Sequence, residues 1–175
     1  MQRQGRVGGT VIERMIAALR LDAAVYAEVS ADRAASGQAL LVVLLSGVCT
    51  GVGLARNANT FGMWAGIFTA IMGWFLWTGV ILAVAGVLRH RRDGRSLLRA
   101  LGFANAPGVL LVLVTVPALA RIVRVVVVLW MLAASAAALR AVYSVTPRRA
   151  WLITLTAFVV YLLLGIVSAV IANSA

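Results

Sequence analysis

The chain has 175 residues, 63% of them apolar and only 12% charged, with a mean hydropathy of +1.01. A soluble domain carries roughly a quarter charged residues, so this composition excludes a water-solvated surface and points to lipid. The net charge of +11 comes from 16 basic residues against 5 acidic ones, all of the basic ones arginine; they cluster at the ends of apolar segments, which excludes a nucleic-acid footprint and assigns them to topology and anionic headgroups, at about 1 kcal/mol each near the surface.

Residues 1–37 form the one sizeable polar segment. No apolar core with a small-residue cleavage site lies in it, so no cleaved signal peptide is predicted and the first span serves as its own insertion signal. Val11, Ile12, Met15, Ile16 and Leu19 repeat at three- and four-residue spacing opposite Glu13, Arg14 and Arg20, which predicts an amphipathic helix lying along the inner membrane surface, the alternative being the cytoplasmic end of the bundle. A second short helix is predicted from Asp22 to Val29.

The first span is predicted over about 38–55, where Gly47 and Gly51 form a small-xxx-small pair that permits close helix contact. Arg56, Asn57, Asn59 and Thr60 make a polar turn. The second span, about 61–88, is uncharged throughout and carries Gly62 and Gly66 together with Trp64, Trp74 and Trp77, which read as packing or interface residues. Residues 89–99 hold Arg89, Arg91, Arg92, Arg95 and Arg99 in the densest basic stretch, predicted as a loop at the headgroups. The third span, about 100–120, contains Asn105 two residues before Pro107, and Pro117 near its far end. Proline frees a carbonyl in the preceding turn, so a kink is predicted near Asn105 and a break near Pro117. Arg121 and Arg124 mark a tight outer turn, the fourth span covers about 122–142, and Arg148 and Arg149 precede the fifth, about 150–172, which carries Gly165 and Ala169.

The fold class is therefore all-α: a polytopic bundle of five transmembrane helices behind an N-terminal amphipathic helix. Counting arginines gives thirteen in the N-terminal segment and the second and fourth connections, against three on the other side. That asymmetry predicts a cytoplasmic N-terminus and an external C-terminus.

Chemistry-bearing constellations are missing from the predicted spans. All five carboxylates, Glu13, Asp22, Glu28, Asp32 and Asp93, fall in polar segments, whereas proton relays and intramembrane proteases need ionisable groups at membrane depth. His90 stands among arginines with no second ligand at metal spacing, and Cys49 reads as an inert buried thiol. No cofactor, metal or catalytic residue is predicted. Asn105 is the most notable polar group within a span, read as local satisfaction of the Pro107 kink or as the lining of a polar path with Thr115.

The stretches Arg20 to Asp32, Gly37-Gln38-Ala39, Gly73-Trp74-Phe75-Leu76-Trp77, Leu98 to Pro107, and Trp130 to Arg140 followed by Arg148-Arg149-Ala150 together resemble the Yip family, the Ypt/Rab-interacting five-span membrane proteins, and in particular its bacterial branch. The resemblance covers about residues 12–172 and rests on structural rather than catalytic motifs. It implies a five-helix fold with a cytosolic N-terminus and, in eukaryotic relatives, binding to small prenylated GTPases in vesicle traffic. The lysine-free composition resembles that of a high-GC bacterium, which has no such GTPases. The expectation is therefore a non-catalytic scaffold or accessory subunit of the bacterial inner membrane, with anionic lipid and other integral membrane proteins as partners and Gly47, Gly51, Gly62, Gly66, Gly165 and Ala169 as helix-packing residues. A small-solute permease and a membrane-remodelling or trafficking-type adaptor are the alternatives.

Overall fold

The computed structural model describes residues 9–54, 60–87 and 93–174. All elements among them are helical: α1 (Val11–Leu19), α2 (Ala23–Ala31), α3 (Ala35–Leu54), α4 (Thr60–Val87), α5 (Gly94–Ala104), a 3₁₀ segment (Ala106–Thr115), α6 (Pro117–Tyr143) and α7 (Pro147–Ser174). Local chemistry sets several of the starts. Thr10 opens α1 with a capping box, its hydroxyl accepting from the Glu13 N–H at 3.3 Å while the Glu13 carboxylate accepts from its own N–H at 3.1 Å. Asp22 caps α2 after Leu21 turns the chain at φ 59°, and Asp93 caps α5 by accepting from the Arg95 N–H at 3.0 Å.

Five stretches are long and apolar enough to cross a bilayer: Ala35–Gly53, Gly62–Val87, Gly94–Thr115, Pro117–Tyr143 and Pro147–Val167. The chain is thus a multi-pass membrane protein. Two boundaries differ from the sequence reading. The third span starts at Gly94 rather than near Ala100, because the Asp93 cap begins a helix that buries Leu97, Arg99 and Leu101, so Arg95 and Arg99 are helical rather than loop residues. The fourth starts at Pro117, placing Arg121 and Arg124 in the opening turns of α6 instead of in a turn between spans. Proline suits a first helical turn, where its missing N–H has no partner to lose.

Glycine governs the α3–α4 contact. A Cβ on Gly66 would lie 2.5 Å from the Gly51 Cα, and one on Gly47 would lie 2.8 Å from the Ile67 Cα; a Cβ on Gly51 would collide with the Gly62 carbonyl. Two backbones meeting this closely gain dispersion contact that side chains would prevent, which is how helices associate without a hydrophobic drive in lipid. Elsewhere Gly102 seats against Ala39, 2.7 Å from where its Cβ would stand.

The α1–α2 hairpin caps one end of the bundle, and one of its arginines points inward. Arg14 is only 3% exposed. Its guanidinium donates to Glu28 Oε1 at 2.7 Å, Asp32 Oδ2 at 2.9 Å and Gln38 Oε1 at 2.7 Å, tying α1 to α2 and to the first turn of α3. Burial opposes the Arg14 charge, but the bonds to Glu28 and Asp32 outweigh it and raise its pKa. Hydrogen bonds from Arg14 and the Ala34 N–H hold the Asp32 carboxyl below its usual range. Arg99, reaching from α5, donates to the Val29 carbonyl at 3.2 Å and to the Ser30 carbonyl, so the last turn of α2 gains a cation for its unpaired carbonyls. Trp130 Nε1 donates to the Leu19 carbonyl at 3.0 Å, and the buried Tyr26 hydroxyl to the Ala18 carbonyl at 3.0 Å. α1 thus packs on the end of the bundle, the alternative of the sequence reading, with Val11, Met15 and Leu19 against the core; Arg14 departs from the predicted polar face by turning inward, while Glu13 and Arg20 are exposed together with Ile12 and Ile16.

Candidate functional site

The break in the third span builds the site. At Asn105 the chain leaves the α conformation: its backbone N–H bonds the Gly102 carbonyl at 3.2 Å in a tighter turn, and its side-chain Nδ2 donates at 2.9 Å to the Leu101 carbonyl, the acceptor a continuing α-helix would have used. Pro107, with no N–H to offer, then sits in the first turn of the 3₁₀ segment. That segment runs for 10 residues, where such helices seldom exceed 3–4. It packs between α3 and α6, where Gly53 and Gly108 admit it: a Cβ on Gly53 would collide with the Leu111 carbonyl, and one on Gly108 with Ser46 Oγ.

Beside this junction lies a cavity of about 280 Å³ bounded by α3, α4, α6, α7 and the Asn105 turn. Its walls carry Trp74, Trp77, Phe158 and Tyr161, with Met131 and Leu132 beneath them. Among these apolar surfaces stand the hydroxyls of Ser46, Thr50, Thr69, Ser135 and Tyr161 and the amide of Asn105, and no charged side chain among the described residues lines it. At ~1.5 Å per residue, Ser46, Asn105, Ser135, Trp77 and Tyr161 lie about 12–21 Å along their helices from the capped end, the middle of a hydrocarbon core of about 30 Å.

Most of the polar groups are already committed. Trp77 Nε1 donates to Ser135 Oγ at 3.2 Å, and Ser135 donates to the Met131 carbonyl at 2.8 Å, so α4 and α6 are joined across the cavity wall. Thr50 donates to the Ser46 carbonyl at 2.8 Å and Trp74 Nε1 to the Leu98 carbonyl at 3.0 Å. Tyr161 meets Trp77 edge-on, with ring centroids 5.7 Å apart and planes at 86°, the arrangement that aligns a ring edge with a π face. The hydrogen bonds among the described residues leave Asn105 Oδ1 and the Tyr161 hydroxyl unengaged, both on half-buried residues.

A scan of the full chain against protein-family models matches the Yip1 domain over residues 21–169. The chain belongs to the Yip1 domain family. No curated protein and no solved structure matches it. The match begins at Leu21, in the turn that starts the α1–α2 hairpin's second arm, and ends within α7, so both the Arg99 anchorage of α2 and the cavity belong to the Yip1 domain.

The residues singled out from sequence fall in different places in this Yip1 domain. Gly47, Gly51, Gly62 and Gly66 come together at one crossing inside the chain, so they are not on offer to another protein. Gly165 is on α7, where a Cβ would meet nothing within 4 Å, and Ala169 follows one turn later. Asn105 and Pro107 form the cavity junction, while Pro117 is exposed at the start of α6. Thr115, paired in the sequence reading with Asn105, is instead exposed near the far end and donates to the Val112 carbonyl at 2.9 Å. Arg95, Arg148 and Arg149 are exposed at helix starts; Arg89, Arg91 and Arg92 lie outside the described residues. No group of three His, Cys, Asp or Glu that would hold a metal occurs among the described residues. Sequence reasoning missed Ser46, Thr69, Ser135 and Tyr161. The available signal was the scatter of hydroxyls inside otherwise apolar spans, but nothing in their spacing revealed that four helices bring them to one depth.

Proposed function

We propose that this Yip1 domain protein is a non-catalytic scaffold or accessory subunit that binds another integral membrane protein along α7. The observation that carries this is where α7 stops packing. Ala150, Ile153, Thr154 and Ala157 are buried against the bundle, but from Leu162 to Val167 every residue is exposed, and six consecutive helical residues cover all faces of the helix. Lipid solvates such a helix adequately, so exposure alone demands no partner. The supporting feature is the company it keeps: α4 exposes Trp64, Phe68 and Met72, and α6 exposes Ile122, Val125 and Leu129. Exposed apolar faces on the two helices that α7 packs against give a partner's spanning helix further surface for van der Waals contact.

The arginine asymmetry supports a cytoplasmic location for the capped end, with the C-terminus outside, in a cytoplasmic membrane. The solute-path alternative gains no support, because the capped end is filled by Ile81, Leu97, Leu101, Phe103 and Leu139, all 0% exposed. Membrane remodelling through α1 keeps the exposed Ile12 and Ile16 of its apolar face but not Arg14, which is turned inward. Extraction of the tagged chain into polymer-bounded bilayer discs tests the proposal. A stoichiometric second membrane protein in the discs is the expected outcome; repeated recovery of the chain alone would refute it.

A further inference from the structure

The cavity at mid-depth calls for an occupant of its own, and its chemistry narrows the choice. Its volume of about 280 Å³ sits at the small end of the range for ligand pockets, about 300–1,000 Å³. Entry is from the side. Thr69 and Val128 on the lining are exposed, α7 stands clear of the bundle beyond Tyr161, and the capped end is sealed by the apolar residues named above. A ligand therefore arrives through the hydrocarbon region and must be soluble there.

A charged head is disfavoured, because no side chain on the walls bears a balancing charge and an uncompensated buried ion costs several kcal/mol. A purely apolar occupant would leave Asn105 Oδ1 and the Tyr161 hydroxyl without partners, at a cost comparable to a lost hydrogen bond each. The direction of the existing bonds is more selective still. Asn105 has spent an amide N–H on the Leu101 carbonyl, and Trp77 and Ser135 have spent theirs on Ser135 and the Met131 carbonyl. Asn105 still presents its Oδ1 acceptor and a second amide N–H, and Tyr161 presents its O–H. A hydroxyl donates to Asn105 Oδ1 and accepts from Tyr161, whereas a ketone or ester only accepts and leaves Oδ1 unpaired.

We infer that this cavity is a binding site for an uncharged lipophilic alcohol that enters from the bilayer, its hydroxyl donating to Asn105 Oδ1 and its chain leaving past the exposed Thr69 and Val128. The site is complete within one chain, so it stands whether or not a partner protein docks on α7.

The test uses the full chain in nanodiscs and three photoactivatable probes of equal chain length bearing the same diazirine: hexadecanol, hexadecane and hexadecanoic acid at neutral pH. The site predicts saturable labelling by the alcohol near Met131 and Phe158, displaced by unlabelled hexadecanol, with the alkane and the acid at least fivefold weaker there. Asn105→Leu is expected to weaken alcohol labelling about fivefold and to narrow the gap between alcohol and alkane. Because Asn105→Leu touches a helix junction, Gly73→Leu provides a second variant. A Cβ there lies 3.7 Å from the Tyr161 hydroxyl, so the leucine fills the cavity and is expected to abolish labelling by all three probes at these residues. Equal, non-saturable labelling by alkane and alcohol overturns the inference, as does labelling by alcohol that survives both variants, and so does equal labelling by the acid.

Discussion

Gly51 and Gly66 meet backbone to backbone, so that a single Cβ on Gly66 would stand 2.5 Å from the Gly51 Cα. Backbone cannot move aside as a flexible side chain can. Gly66→Leu is therefore expected to force α3 and α4 apart and destabilise the bundle by about 1–3 kcal/mol, as overpacking typically does. Gly165→Leu, made where a Cβ meets nothing within 4 Å, is expected to leave the unfolding midpoint of the purified chain unchanged. Thermal unfolding of both variants in one detergent checks the contrast.

The clamp at the capped end should respond to acid. Because the Asp32 pKa is depressed in the folded chain, its bond to Arg14 contributes its full stability above the ordinary carboxylate range. That contribution is lost as pH falls through the lowered folded value. Protease cleavage between α1 and α2 is expected to accelerate over that acidic interval. In Glu28→Gln/Asp32→Asn the guanidinium keeps only neutral partners, so the same cleavage is expected to be fast already at neutral pH, with a loss of about 1.5–3 kcal/mol for each charged hydrogen bond removed.

Trp130 reaches from α6 to the Leu19 carbonyl, 3.0 Å away. Trp130→Phe keeps an aromatic ring and removes the donor. A loss of about 1 kcal/mol follows, and hydrogen exchange of α1 amides is expected to quicken about fivefold while that of α3 stays unchanged.

The third span owes its shape to Pro107. Pro107→Ala returns an N–H to the junction and lets the α conformation continue. Converting 10 residues from about 2.0 to about 1.5 Å of rise shortens the segment by about 5 Å. Spin labels at Arg95 and Leu113, which enclose most of that segment, are expected to draw together by about 4 Å; an unchanged distance would assign the 3₁₀ conformation to packing by α3 and α6 instead.

Much of this architecture is legible in the chain itself. Apolar length located the spans, arginines stood at their ends, and Asn105 with Pro107 marked the kink where the α conformation stops. The start of α5 was less visible, because Arg95 and Arg99 look like loop charges until Asp93 is recognised as a cap for the buried face of Leu97 and Leu101. Arg14 was misplaced for a related reason. Helical periodicity separates polar from apolar residues, but it does not say which residue at the edge of a face turns inward: Val11, Met15 and Leu19 pack on the core, and Arg14 joins them because Glu28 and Asp32 stand there to meet it. The cavity was least legible of all, since Trp77 and Ser135 are 58 residues apart and meet only through the packing of α4 on α6.

What touches α7 beyond Tyr161 decides whether the chain is a scaffold. A photoreactive residue placed at Leu163 or Val167, both exposed in the free part of α7, is compared in native membranes with one at Leu41, exposed on α3. Both α7 positions are predicted to crosslink to the same membrane protein, identified by mass spectrometry, and Leu41 is predicted not to. Crosslinks at all three positions that capture only lipid, or a different protein each time, would contradict the proposed scaffold.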